Sequence, residues 1–214
     1  MRLNAARIKP LEADEWNETA KAAMKPFVDS GNDFNIFKTM TNHPEWFALY
    51  GGKRHVQPLV KNNQLCYSNE ELLREGVDFA RAQFDHFDMY VVSIMPPDGY
   101  TAICQCSRCE GKESPELGPR GTLSNHVWDF VNRVAKEIAK THPGKNISNC
   151  AYGVYTEPPG NIDKLEPNVQ VIIVGGRRPK DPDQANIRRL REAWAAKTDN
   201  PIEIFENYPF TARN

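Results

Sequence analysis

A chain of 214 residues with 27 basic and 28 acidic side chains has a formal net charge of -1, so it exerts no long-range attraction on nucleic acid or on an anionic membrane. Those two partner classes are set aside, while the length permits one medium domain or two small ones with a real core. No apolar run approaches membrane-spanning length and the first ten residues lack a signal-peptide core, which predicts a cytoplasmic protein with reduced cysteines.

In chain order, Trp16, Ala20, Ala23 and Phe27 stand at helical spacing and end at Ser30-Gly31-Asn32. A second short helix carries Phe34, Phe37 and Met40 and ends near His43-Pro44. After Tyr50-Gly51-Gly52 the texture turns basic and irregular, which marks a junction between a helical segment, 1–50, and the remainder, 51–214. Ser68-Asn69-Glu70-Glu71 reads as a capping box opening a helix to about Phe84, with Leu72, Leu73, Val77, Ala80 and Phe84 apolar. Met89 to Ile94 is a short apolar run of buried-strand type. A long amphipathic helix follows from about Thr122 to Lys140, then a strand from Ile147 to Tyr155 and another from Val169 to Val174. A helix from Ala185 to Ala196 and a strand from Ile202 to Phe205 complete the pattern. Strands separated by helices predict an α/β fold with a parallel sheet of βα units.

The cysteines are the most informative residues. Cys104, Cys106 and Cys109 fall in the run Cys-Gln-Cys-Ser-Arg-Cys, and Cys66 lies upstream. Neighbouring thiols pair poorly as disulfides because the geometry is strained, whereas one loop can wrap them around a tetrahedral ion. Four thiolates on one zinc are the natural reading, with Cys66 inferred as the fourth ligand. The competing reading is a surface loop of reduced or partly oxidised thiols. Cys150 is then a small buried hydrophobe.

Two resemblances attach to these residues. Arg7-Ile8-Lys9-Pro10-Leu11, Phe34-Asn35-Ile36-Phe37 and Asn42-His43-Pro44-Glu45 make residues 7–46 similar to the N-terminal segment of the carboxymuconolactone decarboxylase-like family. The part of that family bearing its chemistry has no counterpart here. Residues 43–210 resemble a bacterial family of unknown function that is similar to glycoside hydrolases and is thought to be a (β/α)8 barrel. The matching pieces include His43-Pro44-Glu45-Trp46-Phe47-Ala48-Leu49, Gln64-Leu65-Cys66, the cysteine run, Phe130-Val131-Asn132-Arg133-Val134-Ala135 and Ala151-Tyr152. The cysteine pattern also resembles the structural zinc cluster of some barrel β-galactosidases. The resemblance implies a partial, TIM-barrel-like sheet lacking its early strands, with carbohydrate as ligand. About four strands make half a barrel, so exposed sheet edges call for a covering helix, a partner or a homodimer.

In such folds reacting groups sit just beyond the C-terminal ends of strands. That rule selects Asp98, Tyr155 with Glu157, Arg177 with Arg178, and Glu206 with Tyr208. Glycoside hydrolysis needs two carboxyl groups facing one sugar, and Asp98, Glu157 and Glu206 are the candidates. Tyr155, Tyr208 and Arg177 are the candidate substrate-binding residues. Each carboxylate has an ordinary alternative: Asp98 in a Pro-Pro-Asp-Gly turn, Glu157 as a loop carboxylate before two prolines, and Glu206 as an ion-paired strand end. Trp128 reads as packing beside its helix. The alternative function is a non-catalytic interaction module arising by fusion, with decarboxylase chemistry a distant third.

Overall fold

The computed structural model describes residues 43–54, 64–87, 89–97, 99–175 and 184–206. The helices expected over 14–27 and 34–40 lie outside the described residues. A two-stranded hairpin comes first, β1 (Leu49–Tyr50) and β2 (Lys53–Arg54), turning through Gly51 and Gly52. Both glycines have positive φ, 56° and 77°, the combination that a two-residue type I′ turn requires and that a side chain disfavours. The sequence boundary at residue 50/51 therefore falls inside a hairpin. Residues 43–50 also pack with the chain beyond the hairpin: Ala48 N–H donates to the Gln64 carbonyl at 2.7 Å and Cys66 N–H to that of Trp46 at 2.8 Å.

Helix α1 (Glu70–Phe87) buries the five apolar residues expected of it, Leu72, Leu73, Val77, Ala80 and Phe84. Its cap is Asn69, not Ser68. The Asn69 Oδ1 accepts from the Glu71 N–H at 2.8 Å and the Leu72 N–H at 3.4 Å, while its Nδ2 donates to the Glu45 carbonyl at 3.0 Å. Ser68 Oγ instead accepts from Lys112 Nζ. Asparagine caps at least as well as serine, and only Asn69 also reaches the preceding segment. Asn69→Ala is expected to lower stability by about 1 kcal/mol, with Asn69→Asp recovering the cap but not the Glu45 bond; urea denaturation measures both.

The sheet follows: β3 (Val91–Ser93), helix α2 (Ser124–Thr141), β4 (Asn146–Ala151), β5 (Val169–Val174), helix α3 (Gln184–Ala195) and β6 (Glu203–Phe205). All three pairings are parallel and the strand order is sequential, β3-β4-β5-β6. The α/β expectation holds, with a four-stranded parallel sheet. Strand alternation puts the registered rows Val92–Ile147–Val169 and Ala151–Ile173–Ile204 on one face. The core lies between that face and the helices, with α2 joined to α1 through Phe130 beside Gly76 and to α3 through Trp128 and Trp194.

One connection departs from the βα pattern. The strand expected to reach Tyr155 ends at Ala151, and β4 joins β5 through a 3-10 turn, Gly153–Tyr155, and an irregular stretch instead of a helix. Such a stretch must find partners for its backbone. Side chains of α2 and α3 supply many of them. Asn125 Oδ1 accepts from Gly160 N–H, Asn132 Oδ1 accepts from Glu166 N–H, and the Trp128 and Trp194 indoles donate to the Tyr155 and Thr156 carbonyls. Asn125, Trp128 and Asn132 share one helix face by their spacing.

Candidate metal centre

Three separate pieces of chain converge on the cysteines. Phe47 and Leu65 form an antiparallel bridge, which draws Cys66 against the start of the hairpin. Residues 102–105 run beside β1: the Gln105 N–H donates to the Leu49 carbonyl at 2.8 Å, Tyr50 Oη donates to the Ala102 carbonyl, and Gly51 N–H donates to Gln105 Oε1. The chain then turns tightly, with Cys109 N–H donating to the Cys106 carbonyl at 2.9 Å. The result is four sulfurs within 4.8 Å of one another, from Cys66, Cys104, Cys106 and Cys109. All four residues are buried, Cys106 retaining the most exposure at 9%.

The spacing discriminates among chemistries. Cys66 Sγ lies 3.7 Å from both Cys106 Sγ and Cys109 Sγ. A disulfide needs about 2.05 Å between sulfurs. A tetrahedron with metal–sulfur bonds of about 2.3 Å has edges of about 3.8 Å. The four cysteines are free, and their arrangement is compatible with one tetrahedral metal ion.

Electrostatics point the same way. Cys104 is held well below the usual thiol range by hydrogen bonds from Cys109 and Cys66, joined by the Leu49 N–H at 3.2 Å. Cys66 is pushed far up by its hydrogen bonds with Cys104 and Cys109 and by burial, and Cys109 is pushed up to about 11, chiefly by Cys104. Cys106 is lowered too, so the cluster divides into two readily ionised thiols and two suppressed ones, because four negative charges at this separation repel strongly in a buried site. A dication reverses that balance, and binding it releases the remaining thiol protons.

A family model described as a domain of unknown function, DUF4838, matches residues 12–208. The chain belongs to the DUF4838 family. No curated protein matches it. The DUF4838 match runs without a break across residues 43–51, where the sequence suggested a junction, and it includes residues 12–42, which resembled a decarboxylase-like segment.

In this DUF4838 chain the other predicted site residues fall only partly within the described residues. Asp98, Arg177 and Tyr208 lie outside the described residues. Glu157 has both carboxylate oxygens on Arg189, which donates from Nη1 at 2.9 Å and from Nη2 at 2.6 Å. Tyr155 is 2% exposed, its ring among Tyr100 and Tyr152, so it belongs to the core. Glu206 directly follows β6, half-buried, at the C-terminal end of the sheet. Trp128 is fully buried. The sequence reading missed the hairpin's part in the centre; Gly-Gly between short strand-forming pairs was the available signal. Among the described residues no helix is long and apolar enough to cross a membrane.

Proposed function

We propose that this chain is a carbohydrate-binding domain of glycoside-hydrolase-like design, derived from a (β/α)8 barrel, whose cysteine loop is stapled by zinc. The 3.7 Å sulfur spacing carries the metal assignment, and zinc is the redox-inert ion that suits four thiolates. Cys66, Cys104, Cys106 and Cys109 would hold it. Four sulfur ligands leave no open coordination position, so this zinc fixes a loop and activates no water.

The carbohydrate reading is supported by parallel strands in sequential order, as in consecutive strands of a barrel. Tyr152, 43% exposed, lies directly beyond β4, and Glu206 lies beyond β6, at the end where such sheets bind ligands. Asp98 and Glu206 are the proposed carboxyl pair, with Tyr208 and Arg177 orienting the sugar. Glu157 acts through its fixed place on Arg189, and Tyr155 shapes the wall behind. The edges of β3 and β6 are the proposed surfaces for a homodimer.

The second reading is a non-catalytic interaction module, favoured by the engagement of Glu157 with Arg189 and by the burial of Tyr155. Elemental analysis with thiol counting, then a glycan array and an aryl-glycoside and uronide panel, separates the two. The carbohydrate reading expects one zinc per chain, four thiols protected until denaturation, and glycan binding that is lost in Asp98→Asn or Glu206→Gln. Zinc uptake with no glycan bound and no glycoside cleaved assigns the interaction module.

A further inference from the structure

Resting on the tetrathiolate reading, a second layer of the site can be assigned. Four thiolates around a dication leave a net charge of about -2 in a buried setting, and such a charge needs compensation from its surroundings. Leu49 and Arg54 are directly paired across the hairpin. The Leu49 N–H donates to Cys104 Sγ, so this rung of the hairpin lies against the cluster. The Arg54 guanidinium donates from Nη1 to the Phe47 carbonyl, and Phe47 bridges Leu65, the residue before Cys66. The Arg54 side chain thus bends back from the hairpin toward the segment that leads into Cys66 and is partly buried.

We propose that Arg54 is the counter-charge of the thiolate cluster, a positioning residue that raises its affinity for a divalent metal without binding the metal itself. The electrostatics of its guanidinium agree: burial works against its charge, and the neighbouring charges of Cys104, Cys66 and Cys106 favour it. Of the other cations near the loop, Lys112 donates to Ser68 Oγ, and Arg108, within the cysteine run, is exposed. Arginine suits the place because its planar fork can hold a carbonyl and face a thiolate at once, and because it stays charged when partly buried. The hairpin is therefore a working part of the metal centre, contributing a backbone donor from one strand and a cation from the other.

The test is zinc affinity of the full chain by competition with a chromophoric chelator, comparing wild type, Arg54→Gln and Arg54→Lys. Glutamine retains a donor for the Phe47 carbonyl and removes the charge; lysine retains the charge. Outer partners of metal ligands typically contribute about 10–100-fold in affinity. Arg54→Gln is expected to fall in that range and Arg54→Lys to stay close to wild type, with the gap to glutamine narrowing as salt is raised, because screening acts on charge. Cobalt-loaded protein should keep the visible spectrum of a tetrahedral thiolate site in all three, since the inner ligands are unchanged. Equal affinities for wild type and Arg54→Gln, or a gap indifferent to salt, overturn the role of Arg54 and leave the zinc staple standing. Failure of the wild type to bind zinc overturns both. If Arg54→Gln does not fold, Arg54→Lys decides alone: an affinity within a few-fold of wild type upholds the charge role, and a loss as large as about 10-fold refutes it.

Discussion

Cys109→Ser is expected to abolish tight zinc binding and to lower Tm by about 10 °C, equivalent to about 3–5 kcal/mol for a domain of this size. The reason is the position of the cluster in the chain. Cys66 lies just before the cap of α1, whereas Cys104, Cys106 and Cys109 sit in the long connection between β3 and α2. The cluster and the bonds between residues 102–105 and the hairpin hold the middle of that connection, while Tyr100 in the main core and the Arg120 carbonyl anchor its two ends, and the sulfurs fill a small core of their own with Ala48. A serine hydroxyl is a poor replacement for a thiolate, and the other three thiolates would remain close together without their full complement. Since structural zinc binding is itself folding free energy, the loss of a ligand is a loss of stability. Differential scanning calorimetry with and without a chelator measures it. Chelation should bring the wild type down to the level of the variant and leave the variant unmoved. Cys150→Ser, outside the cluster, should keep one zinc per chain. A wild-type Tm indifferent to chelation would sink the idea that the ion holds the loop.

Trp194→Ala should be the most damaging single change outside the cluster, at about 3–5 kcal/mol. Its indole is fully buried, 4.4 Å from the Trp128 ring centre to centre, and donates to the Thr156 carbonyl at 3.0 Å. Truncation removes three things together: a large apolar surface, the partner of Trp128, and the donor for a buried carbonyl in the β4–β5 connection. Trp194→Phe keeps much of the volume but leaves the Thr156 carbonyl without that donor, so it is expected to cost about 1–3 kcal/mol. Urea unfolding of the two variants separates the packing contribution from the hydrogen bond. Equal losses in alanine and phenylalanine would assign the effect to the hydrogen bond alone.

The helices and strands of residues 64–206 were largely legible because their apolar spacing is regular. The α1 face, the α2 face and the whole of β5 are read from periodicity, and tertiary packing agrees with each. What escaped depended on contacts between distant segments. Ser68 fits a local capping rule, but Asn69 wins because it can also reach Glu45. A strand reads as continuous to Tyr155, yet Gly153 has φ 54° and the chain leaves the sheet after Ala151. The four thiols are evident from composition and spacing, whereas Leu49 enters through its backbone and Arg54 through its long side chain, and the Gly51-Gly52 turn that marks their hairpin does not by itself tie it to the cysteines. Glu157 satisfies the rule of carboxylates beyond strand ends, but no local signal ties it to Arg189, which is 32 positions away.

Sequential strand order has a consequence for how the molecule is made. Each strand of the sheet adds beside the one synthesised just before it, so no strand waits for a later one to occupy a central place. The cysteines of the cluster are complete once residue 109 has left the ribosome, before α2 or β4 exists. At elongation rates of about 5–20 residues per second, the rest of the chain takes several seconds to emerge. If a metal ion is captured in that interval, the nascent chain would carry a closed loop, already anchored on the first hairpin, against which α2 and the later strands assemble one after another.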